Sequence, residues 1–439
     1  MILLAYALAC APPAPTGIVV VSLDTLRADR LAAWGATSGV TPNLDRFAAE
    51  AVVFDQAYAN ANETTYSHAA LFTGRRASRI APLDERFAIP SRVQTLAGTF
   101  AAAGWDTAAF VAGGHLARAF GLSDGFRVYD DDASWGSLQD TVPDALTWLD
   151  AGRDVSRPFL LFVHGYDAHD RYLKPTPFGY AAASARHDGV AADVARRVGA
   201  TSAIHANLRT TRLDEAAILA LSHPRFARGH ALGALEPDAP PLGDAGVAHL
   251  TGVYDGAALW ADAWFGTLMA GLDARGLLDE VAVVVLSDHG EELGESGVFH
   301  HRYSLGDDTL RVPLMVRLPG GREGGRRVSG LTELVDVAPT LWALADVRGP
   351  TDIDGVSLVP ALDGEAWAGR AYAYAEGALR LRSARGPTAR LTAEGLSIEN
   401  GRAAALLAAA PVDGVSLRLS GDPEALPALR AALVAEASR

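Results

Sequence analysis

A single cysteine in 439 residues excludes an intramolecular disulfide and any zinc site built from several thiolates. Beyond the first ten residues no apolar run has the length of a membrane-spanning helix, so the body of the chain is expected to be soluble. Basic residues are outnumbered 38 to 52, giving a net charge of −14. That balance argues against a non-specific polyanion binder and removes nucleic acid as an expected partner, while leaving room for one locally basic pocket. No internal repeat or low-complexity tract interrupts the chain.

The one cysteine, Cys10, ends the short apolar stretch "MILLAYALAC" and precedes the Pro-rich "APPAPTG". Ten residues cannot span a bilayer, and the stretch lacks a basic n-region. An apolar run closing on small residues and Cys nevertheless resembles a bacterial lipoprotein signal, in which that Cys is lipidated. The expectation is a signal and tether over residues 1–16, membrane attachment through Cys10, and a place in the bacterial cell envelope, periplasmic or on the outer membrane. A frayed N-terminus on a cytoplasmic protein is the other reading.

What is present is a large apolar content, 49% of the residues, enough for one large core and a smaller second one. "GIVVVSLD", "PFLLFVHGYD" and "VAVVVLSDHG" are β-branched or aromatic runs without alternation, the pattern of strands buried on both faces of a parallel sheet. Helical segments lie between them: "TPNLDRFAAEA", with Thr41 as cap and Pro42 in the first turn, "VQTLAGTFAAAG", "PDALTWLDAG" and "GAALWADAWFGTLMAGLDARG". Alternating strands and helices make the class α/β. Residues 178–246 turn to Ala, Arg, His and Pro. Their four histidines, His187, His205, His223 and His230, match no metal motif and are read as surface residues of an insertion beside the cleft. The main domain is expected over 17–365 and a small C-terminal α+β subdomain over 366–439.

Each buried run ends in acid or histidine: Asp24 after the first, Asp167 and His169 after the second, Asp288 and His289 after the third. Ligands of open α/β sheets bind outside the carboxyl ends of the strands, so the three endings point to one site. Carboxylates and an imidazole gathered at a dry strand end imply a divalent cation.

"VVVSLDTLRADRLAAWG", "TPNLDRFAAEAVVFDQAYA", "TTYSHAALFTGRR", "FVHGYDAHDRYLKP", "SDHGEELGESG" and "LRVPLMVRLPG" follow one another in an order that resembles the sulfatases of the alkaline phosphatase superfamily. The resemblance runs from Gly17 to Leu362, the insertion excepted. It implies a mostly parallel central sheet flanked by helices, and metal ligands Asp24, Thr64, Asp288 and His289. Anchored on "TGR", the register puts Thr64 where a sulfatase carries the Cys or Ser that becomes formylglycine. Threonine cannot be so converted, and Cys10 is remote, so Thr64 itself is the expected nucleophile, with a helix starting near Ser67 behind it. His68 stands in the place of the signature's Arg and Tyr66 in that of its Pro. Thr25 replaces a second acidic residue, which favours one metal ion, Ca²⁺ or Mn²⁺ first and Zn²⁺ or Mg²⁺ next.

The resemblance also implies that His169 contacts oxygens of the transferred group, that Arg302 binds the ester oxygen, and that His300 or His301 protonates the leaving group. His115 keeps half of a sulfatase lysine-and-histidine pair, with Gly113 in the lysine's place. The expectation is a metal-dependent hydrolase of a sulfate or phosphate ester, on a small molecule or a glycan- or lipid-linked substrate, through a covalent Thr64 intermediate. The alternatives are a non-catalytic binding protein on the same fold and a transferase passing a phosphoalcohol to a glycan.

Overall fold

The computed structural model describes residues 14–84, 86–133, 135–169, 244–294, 299–301, 304–377, 381–386, 389–394, 416–421, 424 and 426–437. Cys10, Arg302 and almost all of the 178–246 segment lie outside them.

Three runs read as doubly buried strands form the centre of the sheet: β1 (Gly17–Leu23), β5 (Phe159–Gly165) and β6 (Val281–Leu286). β1 lies between the other two and is parallel to both. With β2 (Val52–Tyr58), β3 (Asp106–Phe110), β4 (Val128–Asp130), β9 (Leu314–Arg317) and β10 (Arg327–Glu333) they make an eight-stranded sheet in the order β10-β2-β9-β6-β1-β5-β3-β4. β9 alone runs antiparallel to its neighbours, β2 and β6. Ile18, Val20, Leu160, Phe162 and Val284 bury into one core layer, and Val19, Val21, Leu161, Val163 and Val285 into the other. At roughly 1.5–3 kcal/mol per fully buried side chain of this size, the apolar runs hold the strands in place and so fix the polar residues at their ends. The α/β class and the mostly parallel sheet are as expected.

Helix α1 (Pro42–Glu50) begins on Pro42, whose fixed φ suits the first turn. Thr41 does not cap it through its side chain, because its hydroxyl donates instead to the Asp45 carboxylate, 3.2 Å away. Helix α2 (Thr64–Thr73) starts at Thr64, three residues before the expected Ser67, and all ten of its residues are buried. It ends on Gly74 in the left-handed conformation, φ 65°, the usual helix stop. The arginines that follow are structural: Arg76 pairs with Glu333 at 3.2 Å and Arg79 with Asp354 at 2.7 Å, tying the helix end to β10 and the loop beyond. Helix α3 (Leu138–Thr147) and the long α4 (Asp244–Ala274) cover the other face. α4 begins twelve residues before its apolar stretch at Gly256 suggests.

Strands β11 (Ala373–Gly377), β12 (Leu381–Arg385), β13 (Ala389–Glu394) and β14 (Ser416–Gly421) form a separate antiparallel sheet. Its edge docks beside α2, where the Glu376 amide donates to Asn60 O at 2.9 Å. The small hairpin β7 (Glu292–Leu293) and β8 (Phe299–His300) stands at the end of β6. Among the described residues no helix is long and apolar enough to cross a membrane.

Candidate functional site

Because β6, β1 and β5 are adjacent and parallel, their carboxyl ends deliver Asp288–His289, Asp24 and His164–His169 to one place. The N-terminus of α2 completes it. Thr64 Oγ1 donates to Asp24 Oδ2 at 3.3 Å and lies 3.4 Å from His289 Nε2. One ligand atom from each of Asp24, Asp288 and His289 falls within 4.8 Å of the others. Asp288 Oδ1 accepts from the His289 amide at 2.9 Å and the Thr25 amide at 3.3 Å, Thr25 being held at φ 57°. Ser67 Oγ anchors the same turn by donating to Asp288 O at 2.7 Å.

Two facts bear on a cation. Among the described residues Asp24 Oδ1 and Asp288 Oδ2 are buried without a hydrogen-bond partner, a costly state for paired carboxylates that a positive ion relieves. His289 Nδ1 lies 2.9 Å from Gly290 O, and since a carbonyl only accepts, Nδ1 carries the proton. The lone pair then sits on Nε2, the nitrogen facing Thr64 and Asp288. Burial and the charge of Asp288 push Asp24 well above the usual carboxylate range. Burial also acts on Asp288, but the imidazoles of His289, His68 and His164 outweigh it and lower that group.

His68 is fully buried beneath the nucleophile rather than beside the cleft. Its Nδ1 donates to Thr64 O at 2.8 Å, so its Nε2 accepts from Ser22 Oγ at 2.9 Å. Sequence reasoning passed over Ser22 and His164, register neighbours on β1 and β5. His164 Nε2 lies 3.3 Å from Asp24 Oδ2. Polar residues inside otherwise apolar strand runs were the signal that could have found both.

Burial holds His68 down to about 4 and His164 to about 3, so both imidazoles are neutral at pH 7. Since the unfolded chain protonates them near 6.5, the stability tied to neutral His68 is complete above that pH and is lost as pH falls towards 4. The drop amounts to roughly 3 kcal/mol for a shift of this size. Denaturant titration of chelator-treated protein between pH 7 and 4 should show a shallower decline for His68→Gln than for the unmodified chain, and parallel declines would refute the assignment.

A second group lies next to the first. His169, His300 and His301 bring three imidazole nitrogens within 4.8 Å of one another, and the rings of His289 and His301 are 4.4 Å apart. His301 Nδ1 lies 2.9 Å from Glu291 Oε1, and His300, at φ 77°, brings its own Nδ1 within 2.9 Å of that nitrogen. His115 joins through its backbone: its carbonyl accepts from Thr65 Oγ1 at 3.0 Å, while its ring packs on Trp135. The structure thus gathers Asp24, Thr64, Asp288 and His289 in one cluster and His169, His300 and His301 in another, with His68 below and His115 to one side. Arg302 lies outside the described residues.

The family model for sulfatases matches residues 16–347. The chain belongs to the sulfatase family. Among curated sulfatase relatives, N-acetylglucosamine-6-O-sulfatase of Bacteroides thetaiotaomicron is 38% identical over 112 residues, 26% of this chain and 20% of that one. The multifunctional alkaline phosphatase superfamily protein PehA of Trinickia caryophylli is 29% identical over 222 residues, 50% of this chain and 40% of that one. Those matched segments thus span less than half of either relative's length. The phosphonate monoester hydrolase of Agrobacterium radiobacter shares the sulfatase fold, with a TM-score of 0.68 at 18% identity over 96% of both chains.

Proposed function

We propose that the protein is a metal-dependent hydrolase of sulfate or phosphate esters in which Thr64 attacks in line and carries the transferred group. The observation behind this reading is the Thr64 hydroxyl, held between Asp24 Oδ2 and His289 Nε2 at 3.3 and 3.4 Å at the start of a helix. A free hydroxyl is a weak nucleophile, and the positive end of the helix dipole favours its anionic form. Asp24, Asp288, His289 and Thr64 would hold one divalent ion, with Ca²⁺ or Mn²⁺ favoured. When bound, the ion supplies charge stabilisation to oxygens of the ester and of the nucleophile. His68 fixes the Thr64 carbonyl and with it the first turn of α2. His169 faces the transferred oxygens, and His301, oriented by Glu291, donates a proton to the departing alcohol.

Phosphodiesters and phosphonate monoesters are the preferred esters in this reading. A formylglycine diol frees sulfate by collapsing to the aldehyde, a route closed to threonine, so water must cleave the Thr64 adduct at phosphorus or sulfur. Glycan- or lipid-linked esters are the proposed substrates, with Cys10 as a lipid anchor in the cell envelope and the division into 17–365 and 366–439 as the domain plan. Matched aryl phosphodiester and aryl sulfate substrates test the preference through kcat/KM. The diester is expected to lead by about tenfold or more, and a clear lead for the sulfate would overturn the argument.

A further inference from the structure

Trp135 is 47% exposed, although it sits against the site. Its ring centroid is 5.8 Å from that of His169, 5.2 Å from His115 and 5.0 Å from Tyr166. The backbone there is left-handed, φ 57°, a conformation that bulky residues avoid and that persists only where the surroundings impose it. They do so here. A Cβ at Gly113 would fall 2.3 Å from Ala133 O, so the loop before Trp135 closes on the Gly113 turn only because that residue has no side chain. On the other side the Gly136 amide donates to Ala112 O at 3.0 Å, and Gly136 O accepts from the Tyr166 amide at 3.1 Å.

A loop pinned at both ends therefore presents an indole to the cleft at the cost of backbone strain and exposed apolar surface. Tyr166 braces it from below, with its hydroxyl accepting from the His115 amide at 2.9 Å. The neighbour of Trp135 in the cleft is His169, whose ring is 5.0 Å from that of His301, the group assigned to the leaving oxygen. A ring attached to that oxygen would have the indole within reach on the far side of His169. Aromatic faces hold flat apolar faces by stacking, and the flanking imidazoles of His115 and His169 offer hydrogen-bonding atoms at the rim.

We infer that Trp135 is a stacking platform for the departing alcohol and selects alcohols whose ring presents a flat apolar face, a pyranose or an arene. The inference rests on the ester-hydrolase reading above.

Methylphosphonate monoesters of glucose (through O6), benzyl alcohol and butanol provide the test, since each has one leaving group and all three are primary alcohols. In Trp135→Ala the kcat/KM ratio of ring ester to butyl ester should fall about tenfold, mainly through KM, and Trp135→Phe should restore most of it. A fall for the glucose ester alone assigns a sugar, and for the benzyl ester alone an arene. An unchanged ratio for both, including an equal loss on all three esters, overturns the inference. Calorimetric binding of the same esters to the Thr64→Ala protein separates the two ideas. Ring affinity that depends on Trp135, where the unmutated protein hydrolyses none of the three esters, sinks only the hydrolase reading, whereas ring affinity independent of Trp135 sinks the platform.

Discussion

Thr64→Ala is expected to lower kcat by at least about a thousandfold on every ester the protein turns over, because the attacking oxygen is removed outright. The methyl group of Thr64 contributes packing and not chemistry. Thr64→Ser keeps the oxygen at the same place in the first turn of α2, within reach of Asp24 Oδ2 and His289 Nε2, and should retain activity within about tenfold of the parent. Thr65, whose hydroxyl serves the His115 carbonyl at 3.0 Å, is the internal control, with Thr65→Ala expected to cost only a few-fold. Single-turnover measurements of each variant check the order. An active Thr64→Ala protein, or an inactive Thr65→Ala one, would move the nucleophile elsewhere.

The second large effect follows from the partnerless oxygens of Asp24 and Asp288. Exhaustive chelation should abolish turnover reversibly, and restoring the ion should raise the melting temperature, since an ion that binds only the folded site stabilises it by mass action. Asp288→Asn removes one negative charge while keeping the side-chain shape, and should weaken metal affinity by about a hundredfold or more. Its amide NH₂ also meets the Thr25 and His289 amides, or the Oδ2 side of the cluster, where a donor repels a cation. Elemental analysis of the loaded protein is expected to give one ion per chain. Two would assign the other to His169, His300 and His301, and unimpaired turnover after chelation would take metal out of the mechanism.

The centre of the sheet was legible because its strands lack alternation. "GIVVVSLD" and "VAVVVLSDHG" carry the pattern of strands buried on both faces, as they are, and their terminal Asp residues then fall together at the carboxyl end of the sheet. The helix start was not. Thr64 and Thr65 are β-branched, poor helix formers that read as cap residues, and the turn is held instead by the His68 ring, which bonds Thr64 O one turn back, and by the tertiary bond from Thr65 to His115 O. Glu291 and the His300–His301 pair meet because a hairpin of two short strands folds back with His300 at positive φ, a conformation that no local pattern announces. Trp135 was equally hidden, since the close approach of its loop depends on Gly113, 22 residues earlier in the chain.

β1 occupies the middle of the sheet, yet its two partners come late: Gly17 pairs with Phe159 on one side and Val281 on the other. At a synthesis rate of about 5–20 residues per second, the first strand leaves the ribosome roughly a quarter of a minute or more before β6 can close over it. During that interval Ile18 to Val21 form an uncovered apolar edge, and Asp24 has neither Thr25–Asp288 contact nor cation to organise it. The centre of the molecule is therefore completed only late in its own synthesis, when the strand from Val281 to Leu286 is made and pairs with the first.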